Sequence, residues 1–585
     1  MIEFTDEQIT FLNAEGKNVV KACPGSGKTF MVANKFIKYL ESWNFYHQGV
    51  AVLSFTNVAR EEILGKIETI DKTLKRVTYP HFIGTVDSFI NEFIVLRYGY
   101  LLTANKRRPQ ISLTDNWKIP YFWRPECRIN GCVEHIEDFH YGIDEKFYKG
   151  KKLVTCELIG IQKALPCQQY KSMLADKNVV FQSETSLLAY RLLKAYPVIA
   201  KSLAERFQVI IIDEAQDTSF EQMAVFDILN AHGVKSFFLV GDPDQAIYEW
   251  RDATPECFLK KTEDSNWNTI ELTGNFRSSQ NICNATCYFS ATVNSNTPNK
   301  AFGIYKDEVN KPILLFTNGS SIPDIEKYFL KKCVDMNIVI EPKNIAILTR
   351  GRIHADTDIS GLWKSKEVEW FAQSSYEWER GSRKKACSIA SRASFCIYNG
   401  EKVEDLEMQA IIDDNFSLGK WNEFIIELVS TAPSISEGIG VWIKSYEKHF
   451  VNLISYYKIS VHANKPLGEV FKIKSRDTKV PHFKNIEVIN YFERKQQNAY
   501  TKSSVHGVKG ETYDAALLLI NSKTGNTLTP SFLENGDINS ELMRIAYVAM
   551  TRPRRLLMVA MPLNKKVQGY KRFPKDLWQY EYLEN

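Results

Sequence analysis

No stretch of this chain approaches the roughly 20 consecutive apolar residues of a membrane-spanning helix. The opening MIEFTDEQ has neither the basic nor the apolar region of a secretory signal. Both absences predict a chain with no membrane partner. Cysteine is sparse, 11 in 585 residues, and scattered without a repeating spacing. In a chain without an export signal this argues for free thiols in a reducing cytoplasm and against a disulfide framework. Internal repeats and low-complexity tracts are missing, which excludes solenoids and long flexible linkers. Charge of one sign is scarcely in excess: the net charge is +5, so a grip on nucleic acid must come from a local groove and not from bulk basicity. What is present is an ordinary globular composition, 44% hydrophobic and 24% charged, in a chain too long for one core. Three or four domains are expected.

The most informative stretch is NVVKACPGSGKT, from Asn18 to Thr29. The run from Val19 to Ala22 reads as a buried strand, and it breaks into Cys23, Pro24, Gly25, Ser26 and Gly27. After Lys28 and Thr29 a helical pattern puts Val32, Phe36 and Tyr39 on one face. Strand, Gly-rich loop, Lys-Thr and helix is the order of a phosphate-binding loop. Its glycines let backbone N–H groups close around phosphate oxygens, which the helix N-terminus also attracts. Lys28 is placed to reach the β- and γ-phosphates, and the Thr29 hydroxyl to ligate Mg²⁺. The strict pattern has glycine where Ala22 stands. A Gly-rich turn with a surface lysine is the plainer reading, and the flanking strand and helix weigh against it.

Other strand ends repeat the theme. VIIIDEAQD places four β-branched residues ahead of Asp213 and Glu214, the signature of a fully buried parallel strand with acids at its carboxyl end. Asp213 suits a Mg²⁺ site and Glu214 the activation of a water, against the plainer role of a strand-end cap. A second buried strand, Ser236 to Val240, runs into GDPDQAIYEWR, where the Gln245 amide could sense a γ-phosphate. Tyr248 and Trp250 follow, either as core plugs or as stacking platforms for bases, and the residues alone leave this open. Phe55 and Thr85 sit at carboxyl ends of strands, where α/β sheets place ligands. Gln8 lies on a short helix opened by Thr5, and its amide has the donor and acceptor of an adenine-edge reader, although surface glutamines are commoner. Arg277 in LTGNFRSS and Arg552 at a helix–strand junction are candidate arginine fingers.

Two irregular stretches interrupt the α/β pattern. The first carries Cys127, Cys132, His135 and His140 in the spacing C-x4-C-x2-H-x4-H, with Cys156 and Cys167 further on. This overlaps only loosely with zinc-site spacing, so free thiols and surface histidines are the reading adopted and no metal is assigned. The second contains WERGSRKK, read as a solvated helix face. The closing tail, with Trp578, Tyr580 and Tyr582, reads as packing against the last lobe, with a docking strip as the alternative. It is too short for a further domain, so DNA cleavage is expected to need a separate nuclease.

Nine motifs in this order resemble the superfamily 1A DNA helicases of the UvrD, Rep and PcrA type. They are the glutamine at Gln8, ACPGSGKT, SFTNVAREEI, GTVDSF, DEAQD, VGDPDQAIYEWR, NFRSS, VHGVKGET and YVAMTRPRR. The resemblance implies an α/β protein of two RecA-like lobes with parallel sheets, each carrying a mostly helical inserted subdomain. It implies lobe 1A at 1–97 and 198–275, insertion 1B at 98–197, lobe 2A at 276–355 and 496–585, and insertion 2B at 356–495. ATP with Mg²⁺ would lie between the lobes, contacted by Gln8, the loop from Ala22 to Thr29, Asp213, Glu214, Gln245, Arg277, Arg552 and Glu511, the last on the ribose. Phe276 stands where the family has an adenine-stacking tyrosine. Phe55, Thr85, Tyr248, Trp250 and His506 would line a single-stranded DNA track. Asp87 departs from a usual histidine and Glu249 from a usual glycine.

The expected function is therefore an ATP-dependent single-stranded DNA translocase and 3′→5′ helicase acting on single-stranded and duplex DNA. Helicase partners in Gabija-type phage-defence systems share this layout, which makes defence an alternative to repair. An RNA-directed helicase and a nucleotide-sensing subunit that regulates a partner nuclease are the other readings.

Overall fold

The computed structural model describes residues 4–71, 79–103, 106–112, 139–149, 152–153, 178–248, 255–293, 297–317, 320–350, 363–399, 418–459, 466–473, 483–496, 499–520, 528–563 and 570–583, with residues 168, 175, 408 and 412. Two compact units are present, one of residues 1–113, 138–353 and 499–585, the other of 114–137 and 354–498.

The first unit holds two six-stranded sheets, each all-parallel. These are the two RecA-like lobes. In the first sheet the strands run Asn268–Leu272, Lys17–Ala22, Ser236–Gly241, Phe207–Ile212, Gly49–Ser54 and Phe82–Thr85. The apolar runs alternate between its two faces. Val19, Ile210, Ile212 and Leu239 enter one core, whereas Val20, Val209, Ile211 and Val240 enter the other. A strand covered on both faces needs apolar residues at every position, which is why these segments read as unbroken hydrophobic runs. Register then brings chemistry to one edge: Lys21 lies beside Gly241 and Leu239 beside Ile212, so the phosphate loop, Asp242 and Asp213 emerge together.

The second sheet runs Thr501–Ser504, Ile345–Thr349, Tyr513–Leu519, Pro553–Pro562, Ile313–Thr317 and Gln579–Leu583. Leu314, Leu348, Leu518 and Val559 face one core and Ile313, Ile347, Leu517 and Met558 the other. The tail packs here. Trp578 is 1% exposed with its ring 4.9 Å from Phe573, and Gln579–Leu583 pairs with Ile313–Thr317 as the edge strand.

Within 98–197 the described residues form a parallel pair, Gln110–Ser112 with Val179–Phe181, and a three-stranded antiparallel sheet. The helix Thr185–Ala195 adds Ala189, Leu192 and Leu193 to the first lobe's core. His140 stacks on Tyr148, whereas Cys127, Cys132, His135, Cys156 and Cys167 lie outside the described residues.

The second unit packs the helices Lys366–Glu379, Arg383–Asn399, Leu418–Ser430 and Ile439–Tyr456 around Phe371, Trp442 and Tyr446. WERGSRKK forms the turn between the first two of these, with Gly381 at φ +82° and the Arg383 guanidinium 4.0 Å from the Trp378 ring. Among the described residues, no helix is long and apolar enough to cross a membrane.

Candidate active site

The phosphate loop follows from its glycines. Gly25 and Gly27 adopt φ +74° and +78°, and a Cβ on Gly25 would sit 2.5 Å from Asn275 Oδ1. A side chain there is excluded both by conformation and by space. The helix Lys28–Glu41 starts at Gly27 with no side-chain cap, so its first N–H groups await an acceptor. The Ser26 hydroxyl is buried without a hydrogen-bond partner among the described residues. A phosphate group fits both vacancies in hydrogen bonding.

Acids converge on this loop. The Thr29 hydroxyl donates to Asp213 Oδ2 at 3.0 Å, so the two oxygens expected to hold Mg²⁺ are adjacent. That hard oxygen pair suits the ion. Lys28 Nζ lies 3.8 Å from Glu214 Oε1. Burial pushes the Asp213 carboxyl up to about 7, with Glu214 adding to the rise. Burial acts to raise Glu214 as well, but Lys28, Lys509, the Gln216 amide and Arg552 hold it at about 2. The ionised carboxylate is what water activation requires. Lys28 is lifted despite burial by Glu214, Asp242 and Asp213, so it stays charged. Glu214 itself sits at φ +55°, a costly conformation for a non-glycine residue that aims it off the end of its strand.

The second lobe grips the loop after Ser236–Gly241 at five consecutive residues. Asp244 accepts from Ala291 N at 3.1 Å and Thr292 Oγ1 at 2.6 Å, besides the Ser290 hydroxyl. Gln245 Oε1 accepts from Arg552 Nη2 at 2.9 Å, and Ala246 O from Arg544 Nε at 2.7 Å. Ile247 is buried in the second lobe's core, and its carbonyl lies 3.0 Å from His506 Nε2. Tyr248 has Lys509 Nζ 4.6 Å from its ring. Arg277 donates to Thr551 O at 3.1 Å, one residue before Arg552. Burial and the neighbouring Arg552 lower the Arg277 guanidinium to about 9.

The remaining expected residues fall into two groups. Phe276 donates its backbone N–H to Gly25 O at 2.8 Å and keeps a 38% exposed ring, stacked 5.6 Å from Phe302. Glu511 offers its carbonyl to Arg552 Nη1 at 3.3 Å and its carboxylate to the Tyr513 hydroxyl. Gln8 closes a capping box with Thr5, its Oε1 accepting from Thr5 N at 3.1 Å, while its neighbour Glu7 accepts from Thr273 N at 2.8 Å. Separately, the Phe55 and Tyr248 rings lie 5.3 Å apart, with His506 6.0 Å from Tyr248. Thr85 caps its own helix and pairs in register with Ser54, one residue before Phe55. Asp87 is held by the Gln222 amide at 2.7 Å. Trp250 and Glu249 lie outside the described residues.

Comparison with known proteins agrees with this geometry. The model of the UvrD/REP helicase N-terminal domain matches residues 4–266. This part of the chain is similar to that helicase domain. Gabija protein GajB of Bacillus cereus is 28% identical over 344 residues, covering 57% of this chain and 58% of the relative. ATP-dependent DNA helicase Rep of Buchnera aphidicola is 27% identical over 282 residues, 46% of this chain and 42% of the relative. DNA helicase II of Haemophilus influenzae is 27% identical over 294 residues, 46% and 38% respectively. The chain thus spans about half the length of these relatives. A probable DNA helicase II homolog of Mycoplasma pneumoniae is 21% identical over 600 residues, 93% of this chain and 82% of the relative.

The two lobes also use residues that motif reading passed over. Gln216 donates from Nε2 to Glu214 Oε2 at 2.5 Å and accepts at Oε1 from Asp242 N at 3.0 Å. Arg544 and Lys509 reach the first lobe from the second. The partners of Arg544 and Lys509 are hundreds of residues away, and spacing carries no signal of that.

Proposed function

We propose that this chain is an ATP-hydrolysing single-stranded DNA translocase that acts as a 3′→5′ helicase. The observation that supports it best is the loop Asp244–Tyr248. At one end Gln245 bonds Arg552 beside the phosphate loop, and at the other Tyr248 lies against Phe55 and His506. A nucleotide cleft and an aromatic platform at opposite ends of one rigidly held loop are the parts a motor needs.

In this reading the loop from Ala22 to Thr29 cradles the phosphates, and Gln8, Phe276 and Glu511 hold the base and ribose. Thr29 and Asp213 would hold Mg²⁺, which would supply positive charge against the phosphates. Glu214, held ionised, orients the attacking water and takes its proton. Lys28, Arg277 and Arg552 meet the charge that develops on the transferred group, two of them only when the second lobe closes. Loss of the γ-phosphate releases those arginines and the loop with them. Bases stacked on Phe55, Tyr248 and Trp250, with Thr85 and His506 beside them, are then advanced along the track.

Steady-state hydrolysis with DNA and RNA oligomers, and unwinding of duplexes with a 3′ or a 5′ tail, test the reading. DNA should stimulate and 3′ tails should be unwound. Stimulation by RNA alone would favour an RNA-directed helicase, and hydrolysis without strand separation a regulatory ATPase subunit. The likeness to Gabija protein GajB supports a second proposal, that the chain serves phage defence beside a separate nuclease. Co-purification with the product of the neighbouring gene tests it.

A further inference from the structure

The acid at the end of DEAQD does not touch the phosphate loop, and the lysine of VHGVKGET is not among the residues assigned to nucleotide or DNA. They meet each other. Lys509 Nζ donates to Asp217 Oδ2 at 2.5 Å, with side chains 7% and 1% exposed. Asp217 Oδ1 is buried without a hydrogen-bond partner among the described residues. Its charge is therefore compensated by Lys509 and by the Gln216 amide at 3.3 Å. The same Gln216 nitrogen bonds the Glu214 carboxylate, and the other end of the amide is held as well, its Oε1 accepting from Asp242 N at 3.0 Å. On its other side the Lys509 ammonium lies 4.6 Å from the Tyr248 ring, which rests against Phe55.

We propose that Lys509 is the positioning residue that couples occupancy of the aromatic platform to the orientation of Glu214. The relay rests on the translocase reading above. A base stacking on Tyr248 shifts the ring that Lys509 covers. Lys509 carries the shift to Asp217, and Gln216, held at its Oε1 by Asp242 N, passes it to the Glu214 carboxylate. Lys509 also belongs to the second lobe and Asp217 to the first, so the pair is made or broken as the lobes move. A buried ion pair that spans a moving cleft is a two-state element that both sites can bias.

The test measures hydrolysis with and without a single-stranded DNA oligomer for the wild type, Lys509→Met, Asp217→Asn, the double variant and Lys509→Arg. Thermal melting controls for folding. The expected result is a loss of roughly tenfold or more in DNA stimulation for each single variant. The half-saturating DNA concentration should change by less than about threefold, and the double variant should be no worse than the singles, as coupled residues behave. Lys509→Arg should restore part of the stimulation. Normal stimulation in Lys509→Met overturns the proposal. So does a defect confined to half-saturation, which would make Lys509 a phosphate contact. Additive losses in the double variant overturn it too. Absence of stimulation in the wild type would instead defeat the translocase reading itself, so the two failures are distinguishable.

Discussion

Arg552 donates from Nη2 to Gln245 Oε1 at 2.9 Å, and the Gln245 amide in turn donates to Asp242 Oδ2 at 2.6 Å. The second lobe's arginine is thereby tied to the acid that emerges beside the phosphate loop. Burial lowers the Arg552 guanidinium, while Glu214 and Asp242 hold its charge in place. Arg552→Ala should lower kcat for ATP hydrolysis by at least about 100-fold, since arginines in this role supply roughly 10³–10⁵ in rate. Arg552→Lys should not restore it, because one ammonium cannot bond Gln245, Val548 O and Glu511 O together. A kcat within threefold of wild type for either variant would remove Arg552 from the site.

Lys28 and Glu214 should separate binding from chemistry. Lys28→Ala removes the cation beside Asp213, Glu214 and Asp242 and should nearly abolish hydrolysis. Glu214→Gln keeps the shape and the Gln216 contact but cannot accept the proton of the attacking water. It should bind ATP within a few-fold of wild type and hydrolyse it about 100-fold more slowly or worse. A nucleotide-binding titration beside a steady-state assay measures both, and normal turnover in Glu214→Gln would reassign the base.

Much of this was legible because the lobes are built from fully buried parallel strands. VIIIDEAQD announces both its strand and the acid at its end, since a strand covered on two faces leaves only its terminus for polar chemistry. The glycines of the phosphate loop were legible too, as the positive φ at Gly25 and Gly27 favours glycine over residues with a Cβ. Pairings across the lobes were not legible. Arg544 drew no attention in the sequence, yet it is buried on Ala246 O. Nothing local distinguishes a helix face that meets water from one that meets a second lobe. Phe302 stacked on Phe276 was likewise hidden, because Phe302 stands well past NFRSS and in no motif of its own.

Lys35 gives a pH-dependent prediction for stability. It is 1% exposed, donates to Leu12 O at 3.0 Å and Ala14 O at 2.5 Å, and so fastens the helix that carries Gln8. Burial lowers its ammonium from 10.5 to about 8, against the pull of Glu15. Between those values the unfolded chain binds a proton that the folded chain has released, so this group's contribution to stability rises with pH. Below about 8 the cost of burying the charge is present in full. The melting temperature of wild type minus that of Lys35→Met should therefore increase between about pH 7 and about pH 9.5. A flat or falling difference would mean that Lys35 stays charged in the folded chain.

The aromatic platform can be tested apart from the nucleotide site. Phe55, Tyr248 and His506 come from three separate segments, with the Phe55 ring 5.3 Å and the His506 ring 6.0 Å from Tyr248. If the cluster were a core plug, replacing Phe55 by alanine would cost stability and leave DNA dependence alone. If it stacks bases, each ring is worth about 1–3 kcal/mol of binding. Phe55→Ala should then raise the half-saturating concentration of single-stranded DNA by roughly tenfold or more, with hydrolysis in the absence of DNA nearly unchanged. Trp250→Ala should do the same. Binding in every case should weaken steeply with salt, because a chain of net charge +5 holds the strand through local phosphate contacts. The decisive measurement is a set of DNA titrations of hydrolysis at two salt concentrations, beside thermal melts of the same variants. An unchanged half-saturation together with a lowered melting temperature would return Phe55 and Tyr248 to the core.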